Sequence, residues 1–404
     1  MTEPQTPLLP VDDALAKLLD GVAPLAPEFA GLLDARGRVL TAPLIAKLTQ
    51  PPFDASAMDG YAVRSADAGG TPVRLSLDGD AAAGHGFSGR VGPLKAVRIF
   101  TGAPLPDGAD AVVIQEDTTR DGGDVILNQV TFPGENVRLR GNDFREGELL
   151  FPAGRRLTSR DLMLAASAGH SSVPVTRRPV VAILATGDEL VPPGTLPGVH
   201  QIVSSIPTGL AGMIASAGGE AHLIGIARDT LADLGAKIRQ AADADILVTI
   251  GGASVGDHDL VQEALTAHGL QLAFWRIAMR PGKPLMYGKL GSQRVLGLPG
   301  NPVSATLCAQ IFLLPLIRAL QGIASDATVL TGLLAAPLPA NGPRQHYMRA
   351  RIVTPGSPPL VEALPKQDSS LVATLARADC LIVVPPGAGA MDAGAVVTVM
   401  ALEG

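Results

Sequence analysis

Aromatic residues make up only 3% of this chain: one Trp, three Tyr and nine Phe among 404 residues. Platforms for stacking bases are scarce, and Ala, Val, Leu and Ile must build the core. Basic charge is short as well, with Lys+Arg 32 against Asp+Glu 38 and a net charge of −6. A protein that binds nucleic acid by neutralising phosphates usually carries a basic excess, so the composition disfavours that class. The two cysteines, Cys308 and Cys380, cannot make a disulfide framework or a four-cysteine zinc site, and they fit a reducing compartment. Seven histidines without zinc-ligand spacing argue against zinc. The opening MTEPQTPLLPVDDAL has no basic region followed by an apolar one, so no secretion signal is read. Val303 to Leu320, the most apolar helix-like run, holds Ser304, Thr306, Gln310, Pro315 and Arg318 and reads as too polar and broken for a membrane span. The expected setting is cytoplasmic, without membrane or nucleic-acid partners.

Glycine (46) and proline (34) together make about a fifth of the chain. That is turn-rich, yet below the roughly 25–30% of low-complexity sequence. At roughly 150 residues per domain, the length predicts two to four domains. Residues 10–20 place Ala14, Leu15, Leu18 and Leu19 on one helical face, and a second helix is expected over Leu25–Asp34. From Leu48 to about Gly141 short β-rich pieces such as AVRIFTG and DAVVIQED alternate with Gly, Pro and Asp turns. Residues 145–178 return to helix, with Thr158 or Ser159 as N-cap and a stop at Gly169. Helical flanks around a β segment predict a discontinuous domain. From Arg178 apolar strands alternate with helices, through PVVAILATG, AHLIGIA, ADILVTIGG and RVLGLPG, the last opening a long helix at Asn301-Pro302. That pattern predicts a parallel sheet covered on both faces, the doubly wound class. Beyond about Ala324 short strands and Pro-rich turns resume.

In an open parallel sheet the carboxyl ends of the strands share one edge, where ligands bind. The strand ends deliver Gly187, Asp188 and Glu189; then Arg228 and Asp229; then Gly251, Gly252, Ser254, Gly256, Asp257 and Asp259; then Gly300, Asn301, Pro302 and Ser304. Carboxylates and anion-accepting turns on one rim would repel a polyanion unless a cation stands between them, and Mg²⁺ fits that role. Singly, Asp229 or Asp257 fits a helix cap equally well; the strand ends together favour function. Arg280-Pro281-Gly282-Lys283-Pro284 forms a rigid turn with two cations that could hold an oxyanion. In YMRARIV, alternation puts Tyr347, Arg349 and Arg351 on one face, either solvated or guiding an anion. DASAMDGYA, with Asp54, Ser56, Asp59 and Gly60, is by itself a turn signal. GGASVGDHD lacks the Gly-Lys-Ser ending of a P-loop, there is no Ser-His-Asp order, and no GxGxxG follows the first strand, so a dinucleotide oxidoreductase is not expected.

Read together, DASAMDGYAV, VRIFTGAPLPDGADAVVIQED, RLRGNDFREGELLFPAG, RRPVVAILATGDEL, ARDT, GGASVGDHD, RPGKP and LPGNPVSA give a chain that resembles the MoeA family along nearly its whole length. These are the molybdopterin molybdenumtransferases, which include the E domain of gephyrin. The resemblance implies a multidomain α/β plus β fold of four segments. These are a discontinuous helical domain (8–46 and 144–177), an inserted β domain (47–143), a doubly wound α/β molybdopterin-binding domain (178–324) and a C-terminal β barrel (325–404). It implies an elongated homodimer in which the inserted domain of one subunit faces the α/β cleft of the other. The implied reaction is the last step of molybdenum cofactor biosynthesis: Mg²⁺-dependent hydrolysis of adenylylated molybdopterin and insertion of molybdenum from molybdate, with release of AMP. Contacts with molybdopterin adenylyltransferase and with molybdoenzyme chaperones are implied partners.

By the same resemblance Asp59 and Thr101 complete the cleft, and Glu189 and Asp259 are catalytic, with the carboxylate that orients water left open. Asp229, Asp257 and Asp259 are the metal positions. Gly187, Asp188, Gly251, Gly252, Ser254, Gly256, Gly300, Asn301 and Pro302 bind substrate. Arg280, Lys283, Ser304, Arg349 and Ser369 match the anion-binding set expected for molybdate, the loose match of KQDSSLVATLARADC leaving Ser369 interchangeable with Ser370. Two departures stand out. Arg280 occupies a position that is Lys in many members, and Ile206 one that is usually Asn. Alternatives are the related adenylyltransferase and a cofactor-binding scaffold. The four-segment architecture weighs against the first and the intact acidic rim against the second.

Overall fold

Val11, Ala14 and Leu18 recur at a spacing of three and four, and the helix they form, α1 (Val11–Leu19), buries all three. A computed structural model of the chain describes residues 8–252, 260–323 and 329–402. They divide into two compact units, Met1–Glu28 with Thr176–Gly404, and Phe29–Val175. α1 therefore packs with the α/β segment, in one cluster with Val181, Ile183, Leu296 and Ile317. The helix expected over Leu25–Asp34 is instead a strand (Pro27–Gly31) and a short 3-10 turn (Leu32–Ala35). Pro24 and Pro27 remove donors and push the residues before them toward extended backbone, and Gly31 weakens any helix through it.

The smaller unit holds a six-stranded sheet of β1 (Gly60–Val63), β2 (Val73–Ala81), β3 (Lys95–Ile99), β4 (Ala111–Ile114), β5 (Thr118–Asp121) and β6 (Asp124–Leu127), in the order β4-β1-β3-β2-β6-β5. Both faces are covered. Tyr61 and Val63 point into one apolar cluster and Ala62 into another, as the two-residue strand period requires. Residues 145–178 are less helical than expected: α2 (Ser159–Ser167) lies between the strands Leu149–Phe151 and Ser172–Thr176. Thr158 is its N-cap, in a reciprocal capping box with Asp161. Gly169, at φ +91°, follows its end.

In the larger unit β7 (Val180–Thr186), α3 (Ile206–Ser216), β8 (Glu220–Ala227), α4 (Leu231–Gln240), β9 (Ile246–Ile250) and α5 (Leu260–Ala267) alternate. β10 (Gln271–Trp275), β11 (Met279–Arg280), β12 (Met286–Leu290) and β13 (Gln293–Leu298) then precede α6 (Pro302–Cys308). The sheet order is β8-β7-β9-β13-β12-β10. The first four strands are parallel, but β13–β12 and β12–β10 are antiparallel. The expected all-parallel sheet is thus mixed, because Gly291-Ser292 makes a two-residue hairpin and a parallel return needs a crossover of a dozen residues or more. Alternate residues of β7 face opposite cores: Val181 and Ile183 meet α1, α3 and α6, while Ala182 and Leu184 meet α4 and α5.

α6 runs on through a π-helical turn (Ala309–Leu313) into α7 (Leu314–Leu320). The widened turn accommodates Pro315, which lacks a donor, so the run expected to break is continuous. Pro302–Leu320 is long and apolar enough to cross a membrane by composition alone, with a mean hydropathy of 1.8, yet 78% of it is buried inside the protein. β14 (Val329–Leu334), β15 (Gln345–Thr354), β16 (Leu360–Ala363), β17 (Cys380–Val384) and β18 (Val396–Ala401) close a barrel through the β15–β17 pairing, and β11 adds to β15 in parallel. Closure covers both faces of the first half of β15. Tyr347, Arg349 and Ala350 are all buried there, which overturns the expected polar face; Arg351 lies exposed and pairs with Glu362 at 2.6 Å.

Candidate active site

The carboxyl ends of β7, β8, β9 and β13 converge on one cavity of about 740 Å³. Gly187 and Glu189 enter it from β7, Asp229 from β8, Gly251 and Gly252 from β9, and Gly300, Asn301 and Pro302 from β13, where α6 begins. Each is delivered by the turn that ends an apolar strand, so the topology alone gathers them. Gly251 sits at φ +92°, and a Cβ there would lie 2.8 Å from the Thr186 carbonyl oxygen, so adjacent strand ends can approach only without a side chain. Thr186 donates its hydroxyl to the Ile250 carbonyl at 3.3 Å.

The bland reading of Asp229 fails on geometry. Thr230 is the N-cap of α4 and accepts from the Asp233 N–H. The Asp233 side chain in turn accepts from the Arg228 N–H at 2.8 Å. Asp229 is left facing the cavity, its N–H donated to the Asp188 Oδ1 at 3.3 Å. Partial burial pushes its carboxyl above the usual carboxylate range. The Asp188 backbone N–H works against that shift, and the charges of Asp188 and Glu189 add to it. Among the described residues no group of three or more His, Cys, Asp or Glu is placed to hold a metal ion. Ser254, Gly256, Asp257 and Asp259 lie outside the described residues.

The anion-binding residues expected from the sequence come from the barrel, α6 and the turn beyond β11, and Arg280, Lys283, Ser304 and Arg349 do not themselves line the cavity. Pro284 lines the cavity, and Lys283 closes the turn by accepting the Ile277 N–H at 2.9 Å through its carbonyl. Ser304 is buried in the first turn of α6. Ser370 lines the cavity, whereas Ser369 offers its carbonyl to the Val303 N–H at 3.1 Å, which separates two residues the sequence leaves interchangeable. Ser370 is held by Asp368, to which it donates both its N–H and its hydroxyl. Arg349 is 1% exposed. Its guanidinium donates to the Gln367 side chain and to the Lys366 and Asp368 carbonyls. These bonds anchor the loop that carries Ser370. Arg280 is the register partner of His346 across β11 and β15. Burial, with Arg280, Arg344 and Arg349 around it, pushes the His346 imidazole down to about 4, so it is neutral near pH 7 and leaves the positive charge to the guanidiniums.

Asp59 and Thr101 belong to the smaller unit, where they meet each other. The Asp59 Oδ1 accepts both the N–H and the hydroxyl of Thr101 at 2.8 Å. These bonds, with the Arg98 charge behind them, hold the Asp59 carboxyl below the usual range. Arg98 lies 5.1 Å from the Tyr61 ring centroid and 4.8 Å from that of Phe100, and donates to the Gly60 carbonyl at 2.8 Å.

Leu190, the stretch from Ile202 to Pro207, and Leu260 also line the cavity, and sequence reading missed them as a group. Their signal was the long Gly- and Pro-rich connection after β7, which pairs Leu190-Val191 with Ile202-Val203 and leaves Ile202 58% exposed. Ile206, noted as a departure, sits on this apolar rim.

Comparison with known proteins matches this chain to family models described as MoeA N-terminal region (domain I and II) over residues 9–169, probable molybdopterin binding domain over 182–319, and MoeA C-terminal region (domain IV) over 331–402. A molybdopterin molybdenumtransferase of Nostoc sp. is 35% identical over 386 residues, 93% of this chain and 88% of its own. One from Haemophilus influenzae is 33% identical over 97% of this chain and 98% of its own. The crystal structure of a molybdopterin biosynthesis MoeA protein from Pyrococcus horikoshii matches with a TM-score of 0.83 at 31% identity, covering 98% of this chain and all of that one.

Proposed function

The chain belongs to the MoeA family, the enzymes that complete molybdenum cofactor biosynthesis, and from that premise we propose how its cavity performs the reaction. Molybdenum from molybdate is inserted into adenylylated molybdopterin as the adenylate is hydrolysed to AMP. The observation that carries the reading is the cavity in which four strand ends gather Glu189 and Asp229 with the turns at Gly187, Gly251-Gly252 and Gly300, and with Ser370 of the barrel. The Gly187 and Gly251 N–H groups are held by the Ala227 and Leu298 carbonyls, so the backbone donors for the phosphate side are those of Gly252 and Gly300, and the dipole at the start of α6 adds to them. Glu189 or Asp259 orients the attacking water. Arg280, Lys283, Ser304 and Ser370 hold the oxyanion, and Arg349 keeps the Ser370 loop in place. Asp59 and Thr101 present a fixed acceptor pair from the inserted domain of the partner subunit, which makes the active form a homodimer.

The donor chemistry of Asp229, with Asp188 and Glu189 crowding it, fits Mg²⁺, which takes one or two carboxylates and uses substrate phosphate and water for the rest. Asp229 would hold it together with Asp257 and Asp259. When bound, the ion supplies neutralisation of charge at the α-phosphate. The same reading divides the chain into 8–46 with 144–177, 47–143, 178–324 and 325–404. It sets the enzyme in the cytoplasm, in reach of the adenylyltransferase that supplies its substrate and the chaperones that receive its product. AMP release by the purified protein from adenylylated molybdopterin, with and without molybdate and Mg²⁺, tests it. Release that needs both supports the reading; ATP consumption without any need for molybdate contradicts it.

A further inference from the structure

The anion-binding side chains come from separate parts of the chain, and their first common support is α6. The Val303 N–H holds the Ser369 carbonyl. Ser304 and Cys308 are four residues apart, so they lie on one face of the helix, one above the other. Cys308 is fully buried, and its thiol donates to the Gly282 carbonyl at 3.8 Å. Gly282 lies between Arg280 and Lys283 at φ +108°. A Cβ on it would stand 2.7 Å from the Cys308 Sγ and 3.4 Å from Met279. The turn thus lies flat on the helix at a contact too close for any side chain.

We propose that Gly282 and Cys308 are positioning residues for the oxyanion subsite, their contact fixing the cationic Arg280–Pro284 turn to the helix that carries Ser304. The inference rests on the reading of that turn as the oxyanion binder. A residue wider than glycine lifts the turn off the helix and separates Lys283 from Ser304, while the carboxylate rim at the ends of β7 and β8 stays as it is. Cys308 serves here as a spacer. Burial holds its thiol far above the usual range, so it is unreactive as long as the turn covers it.

The test compares Gly282→Ala, Cys308→Val, Cys308→Ala and the double variant Gly282→Ala/Cys308→Ala with the parent homodimer. Gly282→Ala and Cys308→Val, which crowd the contact from opposite sides, are each expected to raise KM for molybdate about tenfold. KM for adenylylated molybdopterin stays within about twofold. Cys308→Ala, which removes the sulfur the turn rests on, is expected to raise KM for molybdate about threefold and to leave that for adenylylated molybdopterin within about twofold. In the double variant, trimming the sulfur recovers part of the molybdate KM lost to Gly282→Ala, the residue being the strain of alanine at positive φ. A second readout needs no substrate: alkylation of Cys308, followed by peptide mass, is slow in the parent and faster in Gly282→Ala. Both KM values rising together, or a double variant no better than Gly282→Ala, overturns the proposal. Lys283→Met separates the two layers. If it leaves the molybdate KM unchanged, the oxyanion reading falls and the proposal with it. If it raises that KM while Gly282→Ala changes neither KM nor alkylation, positioning alone falls.

Discussion

Asp59 and Asp229 are both carboxylates beside a strand of a mostly apolar sheet, and their surroundings push them in opposite directions. Asp59 accepts two hydrogen bonds from Thr101 and has Arg98 nearby, which together hold its carboxyl below the usual carboxylate range. Asp229 is partly buried near Asp188 and Glu189, and no cation among the described residues offsets them, so its charge is costly. A satisfied carboxylate is a fixed acceptor, suited to orienting a partner; a frustrated one has binding energy left for a positive ligand. The contrast underlies the different roles proposed for the two residues.

The largest expected effect breaks the contrast at Asp229. Asp229→Asn keeps the shape and removes the charge, and molybdate-dependent AMP release is expected to fall about a thousandfold. Activity within tenfold of the parent would show that the charge at that strand end is idle. Asp59→Asn is expected to cost about a hundredfold and Thr101→Ala about tenfold, with the sedimentation profile of the parent retained.

Arg349→Met probes the barrel. It strips three acceptors of a buried donor, and a loss of about 2–3 kcal/mol in thermal unfolding is expected, with a weaker molybdate KM as the Ser370 loop loosens. An unchanged melting temperature would contradict the anchoring role.

The smallest effect sharpens the contrast through pH. The folded state keeps the Asp229 proton to a higher pH than the unfolded chain does, so its contribution to stability is lost as pH rises out of the usual carboxylate range through the raised value. Mg²⁺ should restore it at neutral pH. Asp59 behaves oppositely, its stabilisation vanishing as pH falls below the usual range. Melting curves across pH with and without Mg²⁺ should show the metal effect in the parent and lose it in Asp229→Asn.

What the sequence made legible follows from what is local. Strand ends, the Thr158 cap and the Asn301-Pro302 helix start depend on neighbouring residues and period, and the strand ends and helix start bring Gly187, Glu189, Asp229, Gly251, Gly252, Gly300, Asn301 and Pro302 to one cavity. What escaped depends on distant partners. Arg349 reads as a solvated or anion-facing cation until barrel closure buries it among carbonyls. The antiparallel edge turns on a two-residue hairpin hidden in an apolar run. Ser369 and Ser370 are told apart by the helix start, which engages the Ser369 carbonyl, and by Asp368, which holds Ser370 where it lines the cavity.

The most direct test of the central claim is a structure of the protein with adenylylated molybdopterin bound. The account predicts the α-phosphate in the cavity at the ends of β7, β8, β9 and β13, with Asp229 facing it and the pterin sulfurs toward Lys283 and Ser370. A pterin adenylate seated elsewhere, with that cavity empty, would contradict it.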